Sequence, residues 1–285
     1  MRKKTPFHVA IFLIHDTNVM TPGSLPQRLA VCLQTRDPAA KVAAVHALQA
    51  DWLAGKIELS VDIARPPIDQ PGQPDKPALI SPQQVPRRRA DTLVGRVALV
   101  HALAHIEFNA INLALDAAHR FHGMPPEYYV DWLRVADEEA AHFDLLNAHL
   151  ATLGHTYGDF PAHNGLWDMA LKTAHDPLVR MALVPRVLEA RGLDATPLIM
   201  GKLKAANDTR MIEILTLIER EEIGHVAIGN HWFNWLCRAR GLEPEAMFRL
   251  LLLDYDAPPL RPPFNFAARR AAGFSEPELD WLSTL

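Results

Sequence analysis

Twice along this chain a lone glutamate is followed, about thirty residues later, by a Glu-x-x-His pair. Glu107 precedes Glu139-Ala-Ala-His142 by 32 residues, and Glu189 precedes Glu222-Ile-Gly-His225 by 33. Residues three apart project from the same face of a helix, so each pair can meet one ion. The spacing alone is weak, because 14 histidines in 285 residues make about one chance match expected. Position on the helices says more. Glu107 falls between Ala104 and Ile111 on an apolar face, and Glu139 and His142 lie within a stripe from Trp132 to Leu153. Glu222 and His225 share the stripe of Met211, Leu215, Ile218, Gly229, Trp232 and Phe233, while Glu189 follows Ala182 by seven residues. Four helices thus each turn a carboxylate toward the core. Buried carboxylates repel one another unless cations lie between them. Two divalent ions would neutralise such a cluster, and oxygen ligands with imidazole suit iron or manganese, with zinc as a further option.

Helix punctuation frames these residues. Apolar periodicity and few breakers predict a first long helix over 91–123 and a second from Pro125-Pro126 to about residue 154. A Gly-, His- and Pro-rich loop is expected over 154–165. A third helix opens at Asp176-Pro177 and runs to Gly192, with a kink or bulge at Pro185. A short helix restarts at Thr196-Pro197, and Asp208 caps a fourth long helix reaching Gly241. Short links within each pair and a longer crossing between the pairs describe an all-α helical bundle. Two equivalent hairpins, each giving a glutamate and a Glu-x-x-His set, are the ligand arrangement of di-iron carboxylate bundles.

The expected organisation has four parts. Residues 1–63 form an extension with two short helices within 24–54, and residues 64–88 a proline-rich connector. The bundle spans 89–241, and 242–285 is a tail packed on it, irregular and proline-rich over 256–285 apart from a helical turn after Ser275.

A net charge of −4 gives no global pull toward nucleic acid or an anionic membrane. Cys32 and Cys237 stand in no metal or redox spacing, which fits a reducing, cytoplasmic compartment. Arg2, Lys3 and Lys4 before the run 9–14 imitate a signal peptide only loosely, and Met20 is an alternative start. No stretch approaches the roughly 20 apolar residues that span a bilayer.

Four segments carry a family resemblance: Ala104-His-Ile-Glu-Phe-Asn-Ala-Ile, Tyr157-Gly-Asp-Phe-Pro-Ala-His, Pro185-Arg-Val-Leu-Glu-Ala-Arg-Gly-Leu-Asp and Glu222-Ile-Gly-His-Val-Ala-Ile-Gly-Asn. Residues from about 86 to 275 resemble the uncharacterised ferritin-like family known as domain of unknown function 455. The resemblance implies a ferritin-like fold with a di-metal site, and it brings no agreed reaction. The ligand set is also similar to that of ferritin-like tRNA hydroxylases and other di-iron oxygenases. The leading expectation is an oxidase or hydroxylase using dioxygen on a small molecule, with an unspecified electron donor and a dimer as one oligomeric option. A modified tRNA base is an alternative substrate. A metal-fastened scaffold is the second expectation, and iron storage the third.

Blander readings stand beside these. Glu107 or Glu189 alone is ordinarily a helix-surface carboxylate, paired for example with Arg186 or Arg191. His101 and His105, one helical turn apart, suggest a further ligand pair, but His105 lies off the Glu107 stripe, which places it toward solvent or beside a ligand. Glu138, Glu221 or Asp137 is expected to fix the tautomer of each ligand histidine. Arg87-Arg88-Arg89 is read as a solvated or packing patch. Tyr157 to His163 either shapes a substrate mouth or braces the crossing loop.

Overall fold

The computed structural model describes residues 23–59, 66–86, 88–255 and 257–285. Among them the chain is helical, and its one β feature is an isolated bridge between Leu79 and Ala162. The expectations for residues 1–22, for 60–65 where the extension meets the connector, and for Arg87 lie outside the described residues.

Two short helices come first, α1 (Leu25–Gln34) and α2 (Pro38–Leu53). Ser24 and Gln27 form a capping box before α1, and the Asp37 side chain accepts from Ala40 N before α2. Such caps contribute about 1 kcal/mol each by satisfying amides that the helix leaves open. The connector runs extended through its prolines, interrupted by a 3-10 turn at Pro82–Gln84. Helices α3 (Leu93–Arg120) and α4 (Pro126–Thr152) then pack along each other as the most extensive helix pair. Among the described residues, helix α3 alone is long and apolar enough to cross a membrane by length and composition, where the sequence suggested no such stretch. Most of its apolar window, 72%, is buried inside the protein, so it is the central core helix.

The third long element is composite. Helix α6 (Pro177–Leu183) passes into a π-helical segment, Val184–Glu189, and on into α7 (Ala190–Ala205). Pro185 has no amide proton to continue the α ladder, and the extra residue per turn accommodates it. The break expected at Pro197 does not occur: α7 runs through it. Helix α8 (Thr209–Ala239) follows, with Asp208 accepting from Met211 N. It packs on α4, α6, the π segment and α7.

Helix α5 (Gly165–Lys172) fills the crossing between the halves and was not anticipated. Buried Arg180 of α6 links the halves by donating to Asp116 of α3 at 2.6 Å and to Thr173 Oγ1 at 2.7 Å. The C-terminal part is more ordered than expected. It holds α9 (Pro244–Asp254), α10 (Phe266–Ala271) and α11 (Glu276–Leu282). The last two are too short to show a clear apolar period, and side-chain caps start them: Asn265 for α10, and a Ser275–Glu278 capping box for α11. Arg186 of the π segment fastens this region. Its guanidinium is buried among Phe233, Phe248 and Phe274, donates to Asn230 Oδ1 at 2.8 Å, and pairs with Glu278 of α11.

Candidate metal centre

The structure brings Glu107, Glu139, His142, Glu222 and His225 together between α3, α4 and α8, and Glu189 of the π segment interacts electrostatically with Glu139, Glu222 and His225. Ligand atoms of Glu107, Glu139, His142 and Glu222 all lie within 4.8 Å of one another. Glu139 sits at the middle, with Oε2 at 3.4 Å from His142 Nδ1 and Oε1 at 3.0 Å from His225 Nδ1. Glu107 Oε2 flanks His142 Nδ1 at 3.5 Å, and Glu222 Oε1 flanks His225 Nδ1 at 3.5 Å. Glu139, His142 and His225 are completely buried. Glu189 is half-buried as a residue, yet its Oε2 is shut off from solvent and has no hydrogen-bond partner.

The helices explain this convergence. Glu139 and His142 face inward because they share a stripe with buried Val135, Ala136, Phe143 and Leu146. Glu189 ends the π segment, whose wider turn shifts the register of the chain after Pro185. Gly229, one turn past His225, lets Pro185 approach α8: a Cβ there would fall 2.3 Å from two Pro185 ring carbons.

Two glutamates next to the Glu-x-x-His motifs hold the imidazoles. His142 Nε2 lies 2.8 Å from Glu221 Oε2, and His225 Nε2 lies 2.8 Å from Glu138 Oε2. Each Nε2–H donates outward to a carboxylate, which turns both Nδ1 atoms into the cluster. The partners are exchanged across α4 and α8. Asp137, the third candidate for this role, is occupied elsewhere, 2.6 Å from His46 of α2.

Without a cation the cluster neutralises itself with protons. Burial and the negative Glu139 hold the Glu107 carboxyl well above the usual range. Burial, with Glu222 and Glu139 adding to it, raises Glu189 to about 8. Burial and Glu139 raise Glu222 as well. Glu139 goes the other way: burial would raise it, but the charge of His225 and the close approach of both imidazoles hold it low. Burial opposes charge on His142, yet Glu107 and Glu139 lift it to about 11.

Atoms without any partner decide what the cluster suits. Glu107 Oε2, both Glu139 oxygens, His142 Nδ1, Glu189 Oε2 and His225 Nδ1 are all buried with no hydrogen bond. Buried polar atoms are nearly always paired. Six in one place, all metal-ligand types, make a cluster able to hold a metal ion. The blander alternatives for Glu107 and Glu189 fail, since neither is an exposed surface group and Arg186 serves Glu278.

His105 lies elsewhere than expected. It is 8% exposed rather than solvent-facing, because the 154–165 loop covers it. Its Nε2 donates to His163 O at 3.0 Å, so Nδ1 accepts from the Tyr157 hydroxyl at 2.8 Å. His101 Nε2 accepts from Gly158 N at 2.9 Å. Burial lowers both histidines to about 4. The loop is therefore braced on α3, and it sets Tyr157 against Phe108 and Phe143, neighbours of Glu107 and His142.

Residues 34–280 match the family described as "Protein of unknown function (DUF455)". The chain belongs to the DUF455 family. The match takes in α2 as well as the later helices, more than the segments that first carried the resemblance. An uncharacterized protein of Haemophilus influenzae is 53% identical over 216 residues, 73% of this chain and 75% of that one. No solved structure matches. For a DUF455 protein, the chemistry must therefore be argued from the cluster itself.

Proposed function

We propose that this DUF455 protein is a di-metal carboxylate protein on a ferritin-like four-helix bundle, acting as a dioxygen-dependent oxidase or hydroxylase of a small molecule. Glu107, Glu139, His142, Glu189, Glu222 and His225 form the ligand set. The observation that carries the reading is the set of six unpartnered, buried donor atoms facing one another. Their chemistry fits: four carboxylates and two imidazoles offset the charge of two divalent ions, and such donors suit iron or manganese.

When bound, an iron pair would supply dioxygen activation and the oxidising power for the reaction. The chain's own residues do the rest. Glu138 and Glu221 fix the tautomer and direction of His225 and His142. Phe108 of α3, Phe143 of α4 and Tyr157 of the crossing loop pack ring against ring and join the two helices that carry Glu107 and His142. Glu107 and Glu189, whose carboxyls the metal-free surroundings hold protonated, would release those protons on taking up the ions. The reducing compartment expected from the isolated cysteines suits ferrous iron.

Metal analysis of the purified full chain tests the reading, together with oxygen uptake under a chemical reductant. The expected result is about two iron ions per chain, with reductant-dependent uptake, both lost in Glu139→Ala and His225→Ala. Tightly held zinc with no oxygen uptake would favour the scaffold instead. Absence of any metal after reconstitution would end the proposal.

A further inference from the structure

A second cavity lies away from the carboxylate cluster. It has a volume of about 300 Å³ and sits between α7 with the end of the π segment and the loop 258–264. Its helical wall is a single stripe, with Val187, Arg191, Asp194 and Leu198 at successive turns. Glu189 belongs to the other side of this segment, where it faces Glu222, Glu139 and His225 electrostatically. The cavity and the cluster thus occupy opposite faces of one element.

The walls divide by chemistry. Val187, Leu188, Leu260 and Phe264 give an apolar lining, with exposed Leu198 at its rim. Two exposed guanidiniums, Arg191 and Arg261, line it from opposite walls, and neither has a hydrogen bond or ion pair among the described residues. The acidic group at this site is already neutralised. Asp194 takes a two-pronged ion pair from buried Arg269, at 3.0 and 2.6 Å. Asp194 also accepts from Asn265 N at 2.8 Å, which pins the end of the loop. The loop itself carries Pro258, Pro259, Pro262 and Pro263, so little backbone freedom remains to be lost on binding.

We propose that this cavity binds a small amphipathic oxyanion: an apolar body in the interior and a carboxylate or phosphate head between Arg191 and Arg261. Two unpaired guanidiniums beside a neutralised acid attract an anion, and their planar forks match both head groups. The volume is at the small end of ligand sites, roughly 300–1,000 Å³, which suits a short acyl chain or a single-ring acid.

Isothermal titration of the full chain with sodium decanoate and with decyl phosphate, below their micelle thresholds, tests this. 1-Decanol serves as the uncharged probe. At least one anion binds saturably at one site, and decanol binds at least about tenfold more weakly. Arg191→Gln with Arg261→Gln weakens the anion by at least about tenfold. Leu198→Trp, which crowds the exposed rim of the cavity, weakens the anion by at least about tenfold. Both variants retain the metal content of the parent chain, so this test is independent of the proposed function. Equal binding to the parent and the double arginine variant would overturn the proposal, as would no saturable binding of either anion up to about 1 mM.

Discussion

Gly229 on α8 faces the Pro185 ring so closely that a Cβ on it would fall 2.3 Å from two ring carbons. The π segment, and Glu189 at its end, can reach the cluster only because that position lacks a side chain. A Gly229→Ala variant is expected to lose about 1–3 kcal/mol through overpacking. The loss is larger than for Gly224→Ala, where no atom lies within 4 Å of the added carbon. Denaturant titration of both variants checks this, and metal content should fall only in the first.

Exchange of the histidine partners gives a second expectation. Glu138→Ala and Glu221→Ala each leave all six cluster residues in place but free one imidazole to turn. Metal affinity should fall about 10–100-fold in each, as read by competition with a chelator. Glutamine, which still offers a carbonyl acceptor, should recover part of the loss.

Glu189 contributes, with Glu107 and Glu222, to the pH response of the metal-free chain. Its folded value, about 8, lies above the ordinary 4.5. The folded state therefore binds more protons than the unfolded state between these values, and stability falls as pH rises from about 4.5 to about 8. Glu189→Gln should flatten that slope and, at pH 8, stabilise the metal-free protein by about 1–3 kcal/mol. Chemical denaturation at pH 5 and pH 8, with and without added ferrous iron, measures this. Iron should stabilise the parent chain and leave the variant nearly unchanged.

His105 acts in the opposite direction. Burial holds it neutral, at about 4 against an ordinary 6.5. The unfolded state binds more protons between these values, so its contribution is complete above about 6.5 and disappears as pH drops toward 4. About 3 kcal/mol is at stake for such a shift. Acid should release the Tyr157 loop first, visible as early amide exchange over 154–165. In His105→Gln that acid-induced change should be absent.

The buried Arg186–Glu278 pair carries a fifth expectation. Removing one partner strands a charge in a ring of phenylalanines, a loss of about 3–5 kcal/mol. Glu278→Ala should expose residues 257–285 to limited proteolysis before the rest of the chain is cut.

Much of this architecture is written locally, in periodicity and caps. The ends of α4 and α8 follow from Pro125-Pro126 and Asp208, and the inward direction of Glu107, Glu139, His142, Glu222 and His225 follows from their stripes. What local pattern could not carry was decided by tertiary contact. The wider turn at Pro185 depends on Gly229, 44 residues later. Glu138 and Glu221 prevail over Asp137 because their helix positions face the opposite histidine, and Asp137 meets His46 of α2. Lys41 looks like a surface residue in sequence, yet it is buried and donates to Cys32 O, Leu33 O and Asn112 Oδ1. Three acceptors match its three protons, and only the folded chain brings them together. Helices α10 and α11 are too short for a period to show and rest on capping by Asn265 and Ser275.

Because α4 steadies the histidine of α8 and α8 steadies the histidine of α4, neither hairpin can prepare its own half in advance. Correctly aimed nitrogens exist only once both hairpins have docked, so any ion that the cluster takes up would report on completed assembly rather than on either piece.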